Sequence, residues 1–152
     1  MKTYFEIFTI PKEYSIDLKT LEENYIQLQS QYHPDKFINQ PEEQRLKIAV
    51  FSEQINKMYE ILKDDIKRGE YILNLSGYSI FSGDFKKINP SQALLGEFMT
   101  KFEDYTKEEA EIESQSVKNT IDTLINQNSF EEVGIELLKL KFLTRIINPW
   151  IN

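Results

Sequence analysis

Residues able to do chemistry are few in this 152-residue chain. It contains one histidine, His33, and no cysteine. Without cysteine there is no disulfide framework, no thiolate zinc site, no cysteine nucleophile and no cysteine-ligated iron–sulfur cluster. A single histidine excludes histidine-rich metal centres as well. The glycines at 69, 77, 83, 96 and 134 are isolated, so no glycine-rich loop is available to cradle a phosphate. What stands out is His33-Pro34-Asp35, followed by Lys36-Phe37. An imidazole two residues from a carboxylate has three readings. It is a satisfied structural histidine beside an Asp turn, an acid–base pair that lacks an obvious nucleophile, or a rigid contact loop. The third reading uses the proline, which fixes its own φ and so presents His33 and Asp35 at low ordering cost.

The flanking segments must hold that loop. Asp17 reads as an N-cap, and Leu18, Leu21, Tyr25, Leu28 and Tyr32 follow at helical spacing. Pro34 disfavours helical geometry at His33, which ends the helix near Tyr32. Pro41 suits the first turn of a second helix, with Glu42 and Glu43 complementing its dipole. Ile48, Phe51, Ser52, Ile55, Met58, Tyr59 and Leu62 continue its apolar stripe. A short connection between two long helices predicts an antiparallel pair. Tyr4 to Phe8, closed by Pro11, is one or two helical turns or a short strand. A shorter helix over about 67–75 offers Tyr71, Ile72 and Leu75 for packing.

Residues 76–91 are turn-rich, though Phe81, Phe85 and Ile88 imply that the segment packs. Three amphipathic helices are predicted beyond it, over about 92–105, 107–126 and 130–147, with Gln127-Asn128-Ser129 as a turn. Together they make an antiparallel bundle. The second of the three has the core stripe Val117, Ile121 and Leu124. The third has Phe130, Val133, Leu137, Leu140, Thr144 and Ile147 on one side. The fold class is therefore all-α.

Composition narrows the class of function. The chain is 40% hydrophobic and 12% aromatic, enough for a real core, with a formal net charge of −7. Residues 1–75 hold ten basic against thirteen acidic side chains, and the remainder eight against twelve. An acidic surface disfavours nucleic-acid partners, a helix-turn-helix DNA binder included. No window approaches 18 apolar residues, so no membrane partner is expected. Met1 to Glu6 carries neither a signal-peptide run nor a transit-peptide composition, and a soluble, cytoplasmic protein is expected.

A second surface comes from the segment Gln92 to Tyr105. Ala93, Leu94, Leu95, Phe98, Met99, Phe102 and Tyr105 fill half of it, which is too wide for one core stripe. Leu94, Leu95, Phe98, Met99 and Phe102 are therefore expected to turn a side of this helix to solvent, as a partner site. The competing expectation is that they are bundle core.

The string Leu28-Gln29-Ser30-Gln31-Tyr32-His33-Pro34-Asp35-Lys36-Phe37 resembles the J-domain, and more narrowly the HscB family of iron–sulfur co-chaperones. Tyr4-Phe5-Glu6-Ile7-Phe8, Ile55-Asn56, Arg68-Gly69-Glu70-Tyr71-Ile72-Leu73 and Leu138-Lys139-Leu140-Lys141-Phe142-Leu143 add to the resemblance in the right order and spacing. It implies a J-domain over 1–75, a connection over 76–91 and a client-binding bundle over 92–152. It implies docking on a DnaK/HscA-type ATPase chaperone through His33, Pro34 and Asp35, with Tyr32, Lys36, Arg45 and Lys47 beside them. It further implies that Leu94, Leu95, Phe98, Met99, Phe102 and Phe142 bind an IscU-type scaffold protein. On this reading the chain is not an enzyme and needs no cofactor or metal; the nucleotide chemistry belongs to the partner. A J-domain co-chaperone for another client is the alternative, and a helical enzyme using His33 and Asp35 a further one.

One departure bears on docking. J-domains usually carry basic residues on the helix before the loop. Here that helix has Glu22, Glu23, Asn24, Gln27, Gln29, Ser30 and Gln31, and only Lys19 within it is basic. Electrostatic steering is expected to be weaker, with docking leaning on the loop, Lys36, Arg45 and Lys47.

Overall fold

The computed structural model describes residues 1–80 and 85–150. The chain forms two compact units, Met1–Asp64 and Asp65–Asn152.

The first unit opens with α1 (Tyr4–Ile7), a single turn held by a capping box. The Thr3 hydroxyl accepts from the Glu6 amide at 3.2 Å, and the Thr3 amide donates to the Glu6 carboxylate at 2.9 Å. The turn ends with two reversed bonds, Thr9 N–H to the Glu6 carbonyl and Ile10 N–H to the Phe5 carbonyl. That is a Schellman cap, whose left-handed position usually goes to glycine. Thr9 occupies it with φ at 55°, a costly conformation for a β-branched residue. Phe5 and Phe8, on either side of this turn, are fully buried.

Two long helices follow, α2 (Leu18–Gln31) and α3 (Glu42–Lys63). Asp17 caps α2 as expected, accepting from the Lys19 and Thr20 amides and from the Thr20 hydroxyl. Those bonds, the Thr20 hydroxyl foremost, hold its carboxyl below the usual range. Leu21 of α2 and Ile55 and Leu62 of α3 are fully buried, while Leu18, at the open end of the predicted stripe, is half exposed. A polar and aromatic seam joins the two helices. Asn56 Oδ1 accepts from the Tyr25 hydroxyl at 2.6 Å and also from Gln29 Nε2. The Tyr25 ring stacks on Tyr59 with centroids 3.9 Å apart.

The second unit begins with α4 (Asp65–Leu75), directly after α3. Two strands, β1 (Tyr78–Ser79) and β2 (Lys86–Lys87), pair in parallel with Tyr78 opposite Lys86. Then come α5 (Gln92–Phe102), α6 (Lys107–Asn126) and α7 (Phe130–Ile147). The segment read as turn-rich thus contains a small strand pair. Ile88 is buried as expected, Phe85 is less than half exposed, and Phe81 lies outside the described residues. Asn128, with φ at 58°, closes α6 in the same manner as Thr9 closes α1, and α7 then runs back along α6. Val117 and Ile121 of α6 pack with Val133, Leu137, Leu140 and Leu143 of α7 in the core.

The sequence reading grouped α4 with the first half. In the structure α4 packs on α7. Gly69 makes this possible, because a Cβ there would lie 2.6 Å from Leu137 Cδ2. Arg68, nearly inaccessible to solvent, bonds Asp65 Oδ1 at 2.6 Å, and Lys118 of α6 reaches Asp65 Oδ2 at 3.1 Å. Glu70 pairs with Lys141 of α7 at 2.7 Å. Burial acts to raise the Asp65 carboxyl, but the Arg68 and Lys118 hydrogen bonds outweigh it and hold it below the usual carboxylate range.

Two outcomes follow from this packing. Gly69→Ala overpacks Leu137 at about 1–3 kcal/mol and regains about 1 kcal/mol of helix propensity. The thermal midpoint is expected to fall by a few degrees, and an unchanged midpoint would mean that Leu137 moves aside. Asp65 has a depressed folded-state pKa, so its contribution is present above the ordinary carboxylate range and is lost as pH falls through the folded value. Asp65→Asn lacks that contribution at every pH. The stability gap between wild type and Asp65→Asn, followed by urea denaturation, is expected to shrink on acidification.

Candidate functional site

The loop between α2 and α3 is a designed-looking corner in physical terms. His33 adopts extended backbone, φ −65° and ψ 129°, as a residue before proline prefers. Pro34 starts a 3-10 turn, Pro34–Phe37, closed by the Lys36 amide on the His33 carbonyl. The Asp35 amide donates to His33 Nδ1 at 3.2 Å, and Asp35 Oδ2 lies 3.6 Å from the same nitrogen. With Nδ1 accepting, the ring proton sits on Nε2, which is left as a donor. Among the described residues the imidazole's only side-chain partner is Asp35. The His33 side chain is 54% exposed and that of Asp35 83%.

Neighbouring residues anchor this corner. Tyr32, the C-cap of α2, sets its ring edge-on to Phe51 of α3, with centroids 4.8 Å apart. Lys36 Nζ reaches Ser30 Oγ at 3.4 Å, tying the turn back to α2. Lys47 lines a shallow cleft with Phe37, Gln40, Gln44 and Ile48, and pairs with Glu43 at 3.5 Å. Arg45 is exposed on the first turns of α3. The residues named from the sequence for this site, 32–36 with 45 and 47, therefore lie in one hairpin end. Sequence reasoning missed exposed apolar residues of the same unit: Ile26, Ile38, Leu46 and Val50. The signal was present for Ile26, which falls off the stripe of Leu18, Leu21, Tyr25, Leu28 and Tyr32.

The second surface differs from expectation. Phe98 and Phe102 are core residues, not solvent-facing ones. Phe98 packs edge-on to Phe142 at 6.2 Å, and Phe102 stacks near Phe98 and meets Tyr105 at 5.1 Å. Two aromatic rings four residues apart share one helix face, and that face is the one α5 buries. Lysines cover these rings: Lys139 sits 5.5 Å from the Phe98 centroid and Lys101 5.3 Å from that of Phe102. Each is ion-paired, Lys139 to Glu136 and Lys101 to Glu113. Leu94, Leu95 and Phe142 are half-buried, and Met99 is 62% exposed. The exposed part of the proposed face thus shrinks to Leu94, Leu95, Met99 and Phe142.

Among the described residues, no group of acidic or histidine side chains is arranged to hold a metal ion. No described helix is long and apolar enough to cross a membrane.

Comparison with known proteins agrees with this architecture. Residues 3–71 match the DnaJ domain family. A 77-residue stretch is 43% identical to a co-chaperone protein HscB homolog of Psychromonas ingrahamii, covering 51% of this chain and 46% of that protein. The same identity and length relate it to the co-chaperone protein HscB of Buchnera aphidicola, of which 44% is covered. The match therefore spans somewhat under half the length of these relatives. In structure, the chaperone HscB from Vibrio cholerae superposes with a TM-score of 0.81 at 24% identity, over 97% of this chain and 94% of that one. Human co-chaperone protein HscB gives 0.78 at 22% identity, over 96% and 79%. Residues 3–71 thus form a DnaJ domain, and the chain as a whole has the fold of these HscB proteins.

Within the HscB fold the two candidate surfaces have different physical character. The loop is a polar corner fixed by proline. The α5 face is a shallow apolar strip over an aromatic core. Truncating that core and truncating that strip are expected to separate cleanly. Phe98→Ala is expected to cost about 3–5 kcal/mol of stability, as for a buried aromatic. Met99→Ala is expected to stay within about 0.5 kcal/mol of wild type. Chemical denaturation of the two variants checks this, and equal costs would show that Met99 is packed.

Proposed function

We propose that this chain is a J-domain co-chaperone of iron–sulfur cluster assembly. Its loop stimulates the ATPase of a DnaK/HscA-type chaperone, and its second unit delivers an IscU-type scaffold protein to that chaperone. The observation that carries the reading is the exposed His33-Pro34-Asp35 corner, fixed by proline and held at the end of the α2–α3 pair, in a chain of HscB fold. Such a corner loses little freedom on docking, so its few contacts are not spent on ordering it. The chain itself turns nothing over on this proposal. Among the described residues the His33 imidazole hydrogen-bonds only to its neighbour Asp35, which supports a contact role over acid–base work. The reading carries the chaperone contact on Tyr32, His33, Pro34, Asp35, Lys36, Arg45 and Lys47.

The scaffold contact rests on Leu94, Leu95, Met99 and Phe142. Four partly exposed apolar side chains contribute at most roughly 1.5–3 kcal/mol each when buried, and association costs of about 4–15 kcal/mol offset much of that. Weak, exchangeable binding is what a delivery step requires. Phe98 and Phe102 support this face from beneath.

Two measurements test the proposal. ATP hydrolysis by a DnaK/HscA-type chaperone is expected to accelerate with wild type and not with His33→Gln. Full stimulation by His33→Gln would end the docking reading. Calorimetric titration with an IscU-type scaffold is expected to show micromolar binding that Leu94→Ala/Leu95→Ala/Met99→Ala abolishes without unfolding the chain. Absence of binding by wild type would leave the docking reading standing and assign the second unit another client.

A further inference from the structure

With no cysteine in the chain, its reactive sulfur is the thioether of three methionines. Met1 and Met58 belong to the first unit, Met1 fully exposed and Met58 partly buried beside Leu28, Tyr32 and Phe51. Met99 stands on α5 and is 62% exposed, while Phe98 and Phe102 of the same helix turn into the core. The local sequence keeps the Met99 sulfur open. A helical side chain leans over the turn before it, so Met99 extends over residues 95 and 96. Leu95 is half-buried, and Gly96 has no side chain to offer. A Cβ at Gly96 would meet nothing within 4 Å, whereas one at Gly69 or Gly134 would strike Leu137 or Ile88. Packing therefore demands glycine at 69 and 134 but not at 96, where it only weakens the helix relative to alanine. Its remaining effect is to leave the neighbouring thioether uncovered.

An open thioether reacts with hydroperoxides by oxygen transfer. The sulfur lone pair attacks the outer peroxide oxygen, the O–O bond breaks and an S–O bond forms. The hydroxyl proton passes to the departing oxygen, which leaves as water or an alcohol. Sulfur loses two electrons and the peroxide gains them. The product is a methionine sulfoxide, polar where the thioether was apolar. Methionine sulfoxide reductases reverse the step: the oxygen leaves as water while two thiols become a disulfide.

We propose that Met99 is a reversible oxidation site, and that a hydroperoxide acting there switches off scaffold binding by α5. Leu95 and Met99 are four residues apart and share one side of the helix. A sulfoxide at 99 places a strong acceptor oxygen in that apolar strip. In the free chain the oxygen is solvated, so the fold is untouched. Under a partner it loses its water without gaining a donor, and binding weakens. The proposal rests on the scaffold-contact reading and names a regulation of that same surface.

The full chain is treated alone with dilute hydrogen peroxide, freed of it by gel filtration, and titrated calorimetrically with an IscU-type scaffold. Peptide mass mapping follows each methionine. Met99 is expected to gain one oxygen at least about threefold faster than Met58. At full conversion of Met99 the Kd is expected to rise about tenfold, with circular dichroism and thermal midpoint unchanged. Methionine sulfoxide reductases supplied with a dithiol are expected to restore it. Met99→Leu isolates the cause: whatever its own Kd, peroxide is expected to change it by less than about twofold. Met58→Leu is expected to keep the full response. Equal oxidation rates at Met99 and Met58, an unchanged Kd after full conversion, or an equal loss in Met99→Leu each overturn the switch. The untreated Kd tests the scaffold reading separately. If untreated wild type does not bind, that reading falls and the switch with it.

Discussion

The side-chain oxygen of Asn56 is the point on which the first unit's geometry turns. It accepts from Tyr25 and from Gln29, one helical turn apart on α2, and so fixes how far α2 can slide along α3. Burial of Leu21 against Ile55 and Leu62 drives the two helices together but is indifferent to a small slip, because apolar contact is non-directional. Hydrogen bonds are directional, though each is worth only about 0.5–1.5 kcal/mol net. The stacked Tyr25 and Tyr59 rings and the edge contact of Tyr32 on Phe51 extend the same register to the end of α2. Residues 33–37 must then close the gap between fixed ends. The shape of the His33-Pro34-Asp35 corner follows from that register together with the proline.

The helices were legible from residue spacing because each feature that sets them is local. Asp17 caps α2 through bonds two and three residues away, and Pro34 acts on its own neighbour. The end of α5 at Phe102, earlier than the apolar pattern predicts, marks the limit of such reasoning. So does the turn at Thr9. Its left-handed backbone carries no glycine to announce it, and the two reversed hydrogen bonds that impose it come from Phe5 and Glu6.

Tertiary choices were less legible, and Phe98 shows why. A helix that is half apolar has more greasy surface than one neighbour can cover, so the excess must face solvent somewhere. Periodicity says that an excess exists but not which residues supply it. Here the aromatics went inward because Phe142 and the lysine stems of α7 and α5 offer ring-sized partners, and Met99 stayed out. The placement of α4 was illegible for a related reason. Its helical pattern was plain, but its partner was decided by Gly69, where the missing side chain admits Leu137. A single glycine inside a helical run was the only trace of that contact in the sequence.

Charge distribution links the loop to its surroundings better than net charge does. The chain carries −7 overall, which sets solubility and long-range repulsion. Long-range fields of exposed charges fade over about 8–10 Å at physiological salt, so docking senses mainly the charges near the contact. Around the corner those are Lys36, Arg45 and Lys47 on one side and, seven and eight residues back along α2 from Ser30, Glu23 and Glu22. Lys47 is already engaged by Glu43, which dilutes its field. Lys36 is held by a neutral hydroxyl and forms no direct ion pair with a described carboxylate. The charges on this side of the chain alternate, Lys36 at the loop, Glu23 and Glu22 along α2 and Lys19 beyond them, so on the proposed docking they would favour one orientation over another. Orientation is what a pre-formed corner needs, since its proline-fixed contacts form in one pose or not at all.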